Sequence, residues 1–227
     1  MKWVAISDSH GLHPRLKVPA CDLLIVAGDV TSRGRIGDLE SFNDWLGQQP
    51  VGAVLLTPGN HDGLLANEGA LKQVPRARVV INETVEFEGL KIFMSPHSLP
   101  TGTPAWQWAN TAARDAIWDS IPEDVDVVVA HGPAKNVLDA ANGLPTGDEK
   151  LRQRLLQLPN LKLFVCGHVH ECAGVEALGE ALALNATVVN HRRNLAYSPF
   201  ELEYRDGRFH VQNLESRKAE IQRMRHA

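Results

Sequence analysis

Five short apolar runs, each followed by a side chain of a type that binds metals, constrain the fold of this chain more than any other feature. The runs are rich in Val, Ile, Leu and Ala. Runs of roughly 4–8 such residues, bounded by turn-forming residues, are typical of buried strands. We therefore predict strands at 3–6, 23–27, 51–56, 125–130 and 161–166.

Amphipathic stretches lie between these runs and favour helices. In segment 37–49, for example, Leu39, Phe42 and Trp45 recur at the spacing of one helix face. Strands that alternate with helices indicate an α/β fold. The predicted helices are 37–49, 61–74, 108–118 and 148–158.

Two other parts of the chain are richer in strand-forming residues. Segment 77–95 contains three closely spaced apolar stretches, with a hairpin turn expected at Glu88-Gly89. The sequence after Gly174 is again β-rich, with a turn expected at Asp206-Gly207, and it ends in a charged helix over 214–225. Because we find no linker or repeat, we expect residues 1–227 to form a single domain.

Composition argues against several classes of function. The chain has 227 residues and a net charge of −4, so bulk charge does not favour binding to long nucleic acids or anionic membranes. Its three Cys are irregularly spaced, which argues against a disulfide framework. No stretch approaches the ~20 apolar residues of a membrane span, and the first residues do not resemble a signal peptide. We expect a cytoplasmic protein with no membrane partner.

Metal-binding side chains follow the predicted strands at one end. In open α/β sheets, ligands bind beyond the carboxyl ends of the strands. Imidazoles combined with carboxylate and amide oxygens suit first-row transition ions such as Mn, Fe, Zn or Co. The set is too large for one tetrahedral ion, whereas two ions that share a carboxylate would account for it. The residues are Asp8, His10, Asp29, Asn60, His61, His131, His168 and His170.

The ordered motifs D-x-H, G-D, G-N-H-D, H and G-H-x-H resemble the calcineurin-like metallophosphoesterase superfamily. They span residues 8 to 170 and are all present in order. The resemblance implies an α/β fold in the form of a four-layer α/β/β/α sandwich. Two mixed β-sheets would pack face to face, with helices on the outside.

The same resemblance implies a dinuclear centre and roles for its residues. Asp29 would bridge two divalent ions, with Mn expected and Fe, Zn, Co or Mg as alternatives. Metal-bound hydroxide would then attack phosphorus. The first ion would be bound by Asp8, His10, Asp29 and His170, and the second by Asp29, Asn60, His131 and His168.

Two residues of the G-N-H-D motif would act without binding a metal through their side chains. The resemblance implies that His61 faces the substrate, where it would stabilise charge on the phosphoryl group or protonate the leaving oxygen. Asp62 would hydrogen-bond His61 and fix its tautomer. We therefore predict His61 and Asp62 as catalytic residues.

A narrower resemblance suggests the type of ester. The stretches CDLLIVAGDVTSRG, AHGPAKNVLD and CGHVHECAGV are similar to the small metallophosphoesterase-domain-containing branch. That branch implies a phosphodiesterase for small nucleotide-type substrates, cyclic nucleotides among them. The alternatives are a phosphomonoesterase acting on proteins or nucleotides, a nuclease, and a non-catalytic scaffold with the same fold.

Several further residues are candidates for contact with the substrate. Asn60 and His61 would lie beside the bound phosphate. Further candidates in loops are His97, His191 and Arg192, and the adjacent Arg193 could likewise contact a phosphate or, alternatively, belong to a solvated basic loop. Trp106 and Trp108 could stack on a base or, alternatively, pack against the core. We expect His13 to lie on the surface.

Overall fold

The apolar runs form the inner strands of two six-stranded sheets. The computed structural model describes residues 1–100, 108 and 110–225. In chain order the strands are β1 (Lys2–Ile6), β2 (Cys21–Val26), β3 (Val51–Leu56), β4 (Arg78–Val79), β5 (Glu83–Phe87), β6 (Leu90–Ser95), β7 (Val127–Ala130), β8 (Ala140–Ala141), β9 (Leu144–Pro145), β10 (Leu163–Cys166), β11 (Gly174–Leu178), β12 (Ala181–Asn185), β13 (Phe200–Arg205) and β14 (Arg208–Val211). The helices are α1 (Ile36–Leu46), α2 (Glu68–Leu71), α3 (Thr111–Asp119), α4 (Glu149–Gln157) and α5 (Leu214–Arg225).

Both sheets are mixed. The first has the order β14-β13-β1-β2-β3-β4. Strands β1 to β4 run parallel, and β13 is antiparallel to both of its neighbours, β1 and β14. The second has the order β11-β12-β10-β7-β6-β5, with four parallel inner strands and an antiparallel strand at each edge. Strands β8 and β9 form a separate hairpin.

Alternate residues of the strands face different layers. Trp3 and Ile25 of the first sheet share one buried cluster with Ile92 and Val129 of the second, so the sheets pack face to face. The opposite faces pack against helices, because their apolar residues cluster with those of α1 on one side and of α3 and α4 on the other. The predicted four-layer sandwich is therefore confirmed.

The register brings the carboxyl ends of the parallel strands to one edge. Ile6 at the end of β1 pairs with Val26 at the end of β2. The two sheets also meet at this edge, because Ser7 forms a bridge with Thr187, which follows β12. Side chains that follow strands of either sheet are thus delivered to one junction.

The predicted secondary structure was wrong in one helix and missed one hairpin. Instead of a helix over 61–74, the chain forms a 3-10 turn at Gly63–Ala66 and the four-residue α2, separated by Asn67 in an extended conformation. The β8–β9 hairpin turns at Asn142-Gly143, where both residues have positive φ. Asn-Gly is a typical hairpin pair and could have predicted this turn. In the described part of the chain, no helix is long and apolar enough to cross a membrane.

His13 is buried, contrary to the expected surface position. Only 1% of it is exposed, its ring lies 5.3 Å from that of Phe42, and its Nε2 lies 3.1 Å from Ser41 Oγ. Burial lowers the pKa of His13 to about 4, outweighing the opposite effects of Asp38 and Ser41. The imidazole is therefore packed as an uncharged core residue.

We predict that His13 makes the fold less stable in acid. The folded-state pKa of about 4 lies below the usual 6.5, so folding favours the neutral ring, and stability is lost as the pH falls from 6.5 towards 4. At pH 5 this loss amounts to about 2 kcal/mol. Urea unfolding at pH 7.5 and 5 should show a smaller drop for His13→Gln than for the wild type. Phe42→Leu loosens the same cluster without removing a titratable group, so it should show the full drop.

Candidate metal centre

The predicted ligands are presented by strained backbone at the ends of the strands. Asp8, His10, Asp29 and His168 all have left-handed φ angles, of 59°, 43°, 55° and 68°. Non-glycine residues rarely adopt this conformation, which costs of order 1 kcal/mol or more and is concentrated at functional sites. Here it turns successive side chains into the junction between the sheets.

Asp29 lies at the middle of the cluster. Its Oδ1 accepts a hydrogen bond from the backbone N–H of His61 at 2.8 Å. Its Oδ2 is 3.7 Å from His10 Nε2 and 3.5 Å from His131 Nε2. One carboxylate oxygen is therefore adjacent to imidazoles on both sides of the site.

The remaining predicted ligands divide into two groups around Asp29. On one side, His170 Nε2 lies 3.2 Å from His10 Nε2 and 3.4 Å from Asp8 Oδ1. On the other side, His131 Nε2 lies 2.9 Å from Asn60 Oδ1, and the His131 and His168 rings are 5.0 Å apart. The structure thus brings all seven predicted ligands together.

Backbone carbonyls orient three of the imidazoles. His10 Nδ1 donates to Thr31 O at 3.3 Å, and His131 Nδ1 donates to Ala27 O at 2.8 Å. In the same way, His168 Nε2 donates to Leu99 O at 3.0 Å. Because a carbonyl can only accept, each of these nitrogens carries a proton, and the second nitrogen of each ring can bind a cation when it is deprotonated.

The electrostatics of the cluster require positive charge. Asp8 and Asp29 are 0% and 2% exposed. Burial acts to raise the pKa of each carboxyl group, but the neighbouring histidines outweigh it, lowering that of Asp8 to about 2 and that of Asp29 below its usual range. Two buried carboxylates need compensating cations, so the residues present fit divalent metal ions.

The histidines respond to the same environment in opposite ways. Burial lowers the pKa of His10 and of His168 to about 4, which keeps them in the neutral form that binds metals. Burial acts in the same direction on His131, but the Asp29 and Asp8 carboxylates outweigh it and raise its pKa to about 9. A metal ion at His131 would therefore replace a proton.

Two glycines let the backbone approach the carboxylates. A Cβ at Gly59 would collide with Asp29 Oδ1, and one at Gly167 would collide with Ser7 Oγ and Asp8 Oδ2. The G-N-H-D and G-H-x-H motifs therefore need glycine for close packing. The buried Asn185, which we did not predict, supports the second motif by donating to Val169 O at 2.9 Å.

The prediction that Asp62 hydrogen-bonds the His61 ring is wrong. His61 Nδ1 donates instead to Ser32 O at 2.9 Å, and its ring faces the cavity. Asp62 is fully buried, and burial together with Asp29 raises its pKa to about 6. Its carboxylate accepts from the backbone N–H groups of Val30, Thr31 and Gly59. Asp62 thus holds the metal-binding loops together rather than orienting His61.

A cavity of about 220 Å³ opens over the cluster. The described residues that line it are His10, Asp29, Asn60, His61, Ala141, Asn142, His168, Val169, His170, Glu171, His191 and Arg193. The predicted residues Asn60, His61 and His191 are among them. Asn142 and Glu171 were not predicted, although the Asn-Gly turn signal could have drawn attention to Asn142.

Two weaker substrate-binding predictions are wrong in position. His97 is 3% exposed and lies in the core beside α3, with its ring 5.8 Å from that of Trp118. Arg192 is exposed but does not line the cavity, whereas its neighbour Arg193 does. Trp108 packs against the outer cluster of the first sheet, and its Nε1 donates to Gly59 O at 3.0 Å. Trp106 lies outside the described residues.

Known proteins with a similar sequence or fold provide an independent comparison. A sequence model of the calcineurin-like phosphoesterase family matches residues 1–172. A UPF0046 protein of Caenorhabditis elegans is 30% identical over 224 residues, covering 88% of this chain and 79% of its own length. Human metallophosphoesterase domain-containing protein 1 is 28% identical over 223 residues, covering 82% of this chain and 66% of its own length. One solved structure superposes with a TM-score of 0.67 at 15% identity, covering 94% of this chain and 98% of its own, which shows a shared fold.

We predict that Gly167→Ala weakens metal binding. The added methyl group must displace Ser7 or Asp8, so we expect a loss of affinity of roughly 10–100-fold, as when groups that orient a ligand are removed. Titration of the apo protein with Mn²⁺ measures this loss. Gly37→Ala is the matched control, because a Cβ there meets no atom within 4 Å, and it should bind Mn²⁺ like the wild type. Equal affinities of the two variants would contradict the prediction.

Proposed function

This chain belongs to the calcineurin-like phosphoesterase family, and we propose that it is a metal-dependent phosphodiesterase for small, nucleotide-type substrates. Family membership identifies it as a phosphoric ester hydrolase that works with divalent metal ions. The observation that carries the proposal is the position of Asp29 Oδ2, within 3.7 Å of imidazoles in both halves of the ligand cluster. We further propose that residues 1–227 act as one metallophosphoesterase domain, since the two sheets share a core.

We propose two ions, preferably Mn²⁺, that share Asp29. Asp8, His10 and His170 would complete one set of ligands, and Asn60, His131 and His168 would complete the other. Bound divalent ions supply Lewis acidity towards phosphoryl oxygens and lower the pKa of a coordinated water towards neutrality. The buried carboxylates and the carbonyl-oriented imidazoles keep this ligand set in place before the substrate arrives.

His61 is the residue of this chain best placed to act on the substrate. Its Nδ1–H is held by Ser32 O, so its Nε2 is directed to the cavity. In the neutral ring this nitrogen is an acceptor, and once it has taken up a proton it can donate to a phosphoryl oxygen or protonate the leaving oxygen. Its backbone N–H also fixes Asp29, so the same residue links the metal site to the substrate site.

The charge around the cavity favours a diester over a dianionic monoester. Apart from the predicted metal ligands and His61, the charged side chains among the described lining residues are Arg193 and Glu171. Their single positive and single negative charges sum to zero. A diester carries one negative charge per phosphate, so it needs less compensation than a monoester does. The net charge of −4 also argues against a long nucleic-acid substrate.

We predict hydrolysis of diesters by the Mn²⁺-loaded protein. A chromogenic diester and cyclic nucleotides should be turned over faster than a chromogenic monoester. His61→Gln should lower kcat by roughly 10²–10⁴-fold, the usual contribution of a proton-transfer residue, with metal content unchanged by elemental analysis. If no diester is hydrolysed while the metal is bound, the proposal fails, and faster monoester turnover would identify a phosphomonoesterase instead.

Metal stoichiometry tests the bridging role of Asp29. We predict two ions per chain in the wild type, and Asp29→Ala should reduce the occupancy of both sites because it removes the shared oxygen. His170→Ala should reduce only one. Elemental analysis of dialysed protein measures this difference. Two retained ions in Asp29→Ala would exclude the shared carboxylate.

A further inference from the structure

We infer that Arg193 is a substrate-binding residue whose guanidinium contacts the phosphoryl group beside His61. The inference rests on the proposed function, because Arg193 would contact the phosphate of the same proposed substrate in addition to the metal ions. Of the two adjacent arginines that the sequence offers, Arg192 and Arg193, it selects the one that lines the cavity.

The first observation is the position of the guanidinium. Arg193 Nη2 lies 3.1 Å from His61 Nε2. Because His61 Nδ1 donates to Ser32 O, Nε2 of the neutral ring is an acceptor, and the guanidinium donates to it. Arg193 therefore stands beside the one cavity residue already placed to contact the phosphoryl group.

The second observation is that the backbone of this loop is shaped to present Arg193. The residue has a left-handed φ of 56°, as several of the metal-binding residues do. Asn190 closes the loop: its Oδ1 accepts from the N–H groups of Arg192 and Asn194 at 3.0 and 3.1 Å, and its O accepts from that of Arg193 at 2.8 Å. Asn190 itself is buried, so the turn is anchored in the fold. A strained conformation held in this way beside a cavity points to function rather than to a chance arrangement.

The third observation is the unused capacity of the guanidinium. The Arg193 side chain is exposed and lines the cavity. Within the described part of the chain, its guanidinium contacts His61 rather than a carboxylate. Arg114, by comparison, forms an ion pair with the buried Asp148. A guanidinium has five N–H donors, so most of those of Arg193 remain available to an anion.

These observations fit the two nonbridging oxygens of a phosphodiester. A guanidinium presents parallel donors at the spacing of two phosphate oxygens, which an ammonium group cannot do. Arg193 would add a contact to the phosphoryl group beyond those that the metal ions supply. Arg193 would thus set both the affinity for the phosphate and its orientation towards His61.

The test compares Arg193→Met, Arg193→Lys and the matched control Arg192→Met, all loaded with Mn²⁺. The readouts are the Kd for inorganic phosphate by calorimetry and kcat/KM for a chromogenic diester. Removing charge-assisted hydrogen bonds should weaken phosphate binding and lower kcat/KM by roughly 10–100-fold in Arg193→Met. Arg193→Lys should recover part of each loss, because it keeps the charge but not the paired donors. Arg192→Met should stay within about twofold of the wild type, and metal content should be the same in all four proteins.

Two outcomes would overturn the inference. Unchanged phosphate binding and unchanged kcat/KM in Arg193→Met would show that the guanidinium does not contact the phosphoryl group. Equal losses in Arg193→Met and Arg192→Met would show an effect of net charge rather than of position. Failure of the proposed phosphodiesterase function can be told apart from failure of this inference. If the wild-type protein hydrolysed no diester, the calorimetry would still show whether phosphate binding depends on Arg193.

Discussion

The structure depends on two buried carboxylates, Asp8 and Asp29, at the junction of two β-sheets. Neither can remain ionised there unless positive charge lies beside it, because burying a carboxylate without a compensating partner costs several kcal/mol. Imidazoles from both sheets surround the pair, and the pKa of each carboxyl group is lowered accordingly. The same arrangement that makes these groups tolerable in the core makes them suited to divalent cations.

The sandwich architecture explains how so many ligands converge. Each parallel strand ends at the same edge, and Ser7 and Thr187 join the two sheets there. Glycines at 59 and 167 allow backbone to approach the carboxylates, and left-handed residues turn the side chains inward. Backbone carbonyls then fix the imidazoles. The half of the site that contains the predicted metal ligands is therefore built at the carboxyl ends of the inner strands.

The substrate-facing half is built differently. Asn142 lies at the tip of the β8–β9 hairpin, while His191 and Arg193 lie on the loop after β12. Such loops position side chains without being part of the core, so they can change with little effect on the metal cluster. His61 connects the halves, since its backbone holds Asp29 and its ring faces the cavity and Arg193. This division separates the chemistry of the centre from the choice of ester.

The amino-acid sequence was enough to predict the candidate metal ligands and, through the family resemblance, the four layers. Apolar runs that end in Asp, Asn or His identify strand ends, and parallel strands bring those ends together whatever the details of packing. Helices α1, α3 and α4 could be predicted from the sequence because the apolar residues of a helix face recur with a fixed period. These features are local, and their consequences follow from regular geometry.

The burial of several polar residues and the direction of the loop side chains depend on tertiary contacts. His13 and His97 are core residues because distant aromatic rings pack against them, Phe42 in one case and Trp118 in the other. Asp62 binds the amides of a loop some thirty residues away rather than the adjacent His61. Arg193, and not Arg192, lines the cavity because Asn190 closes a turn that places neighbouring side chains differently. Contacts between segments far apart in the chain set the positions of the two histidines and of Asp62, and no local pattern encodes them. The Asn190 turn is local, but only the folded structure shows that it lies beside the cavity.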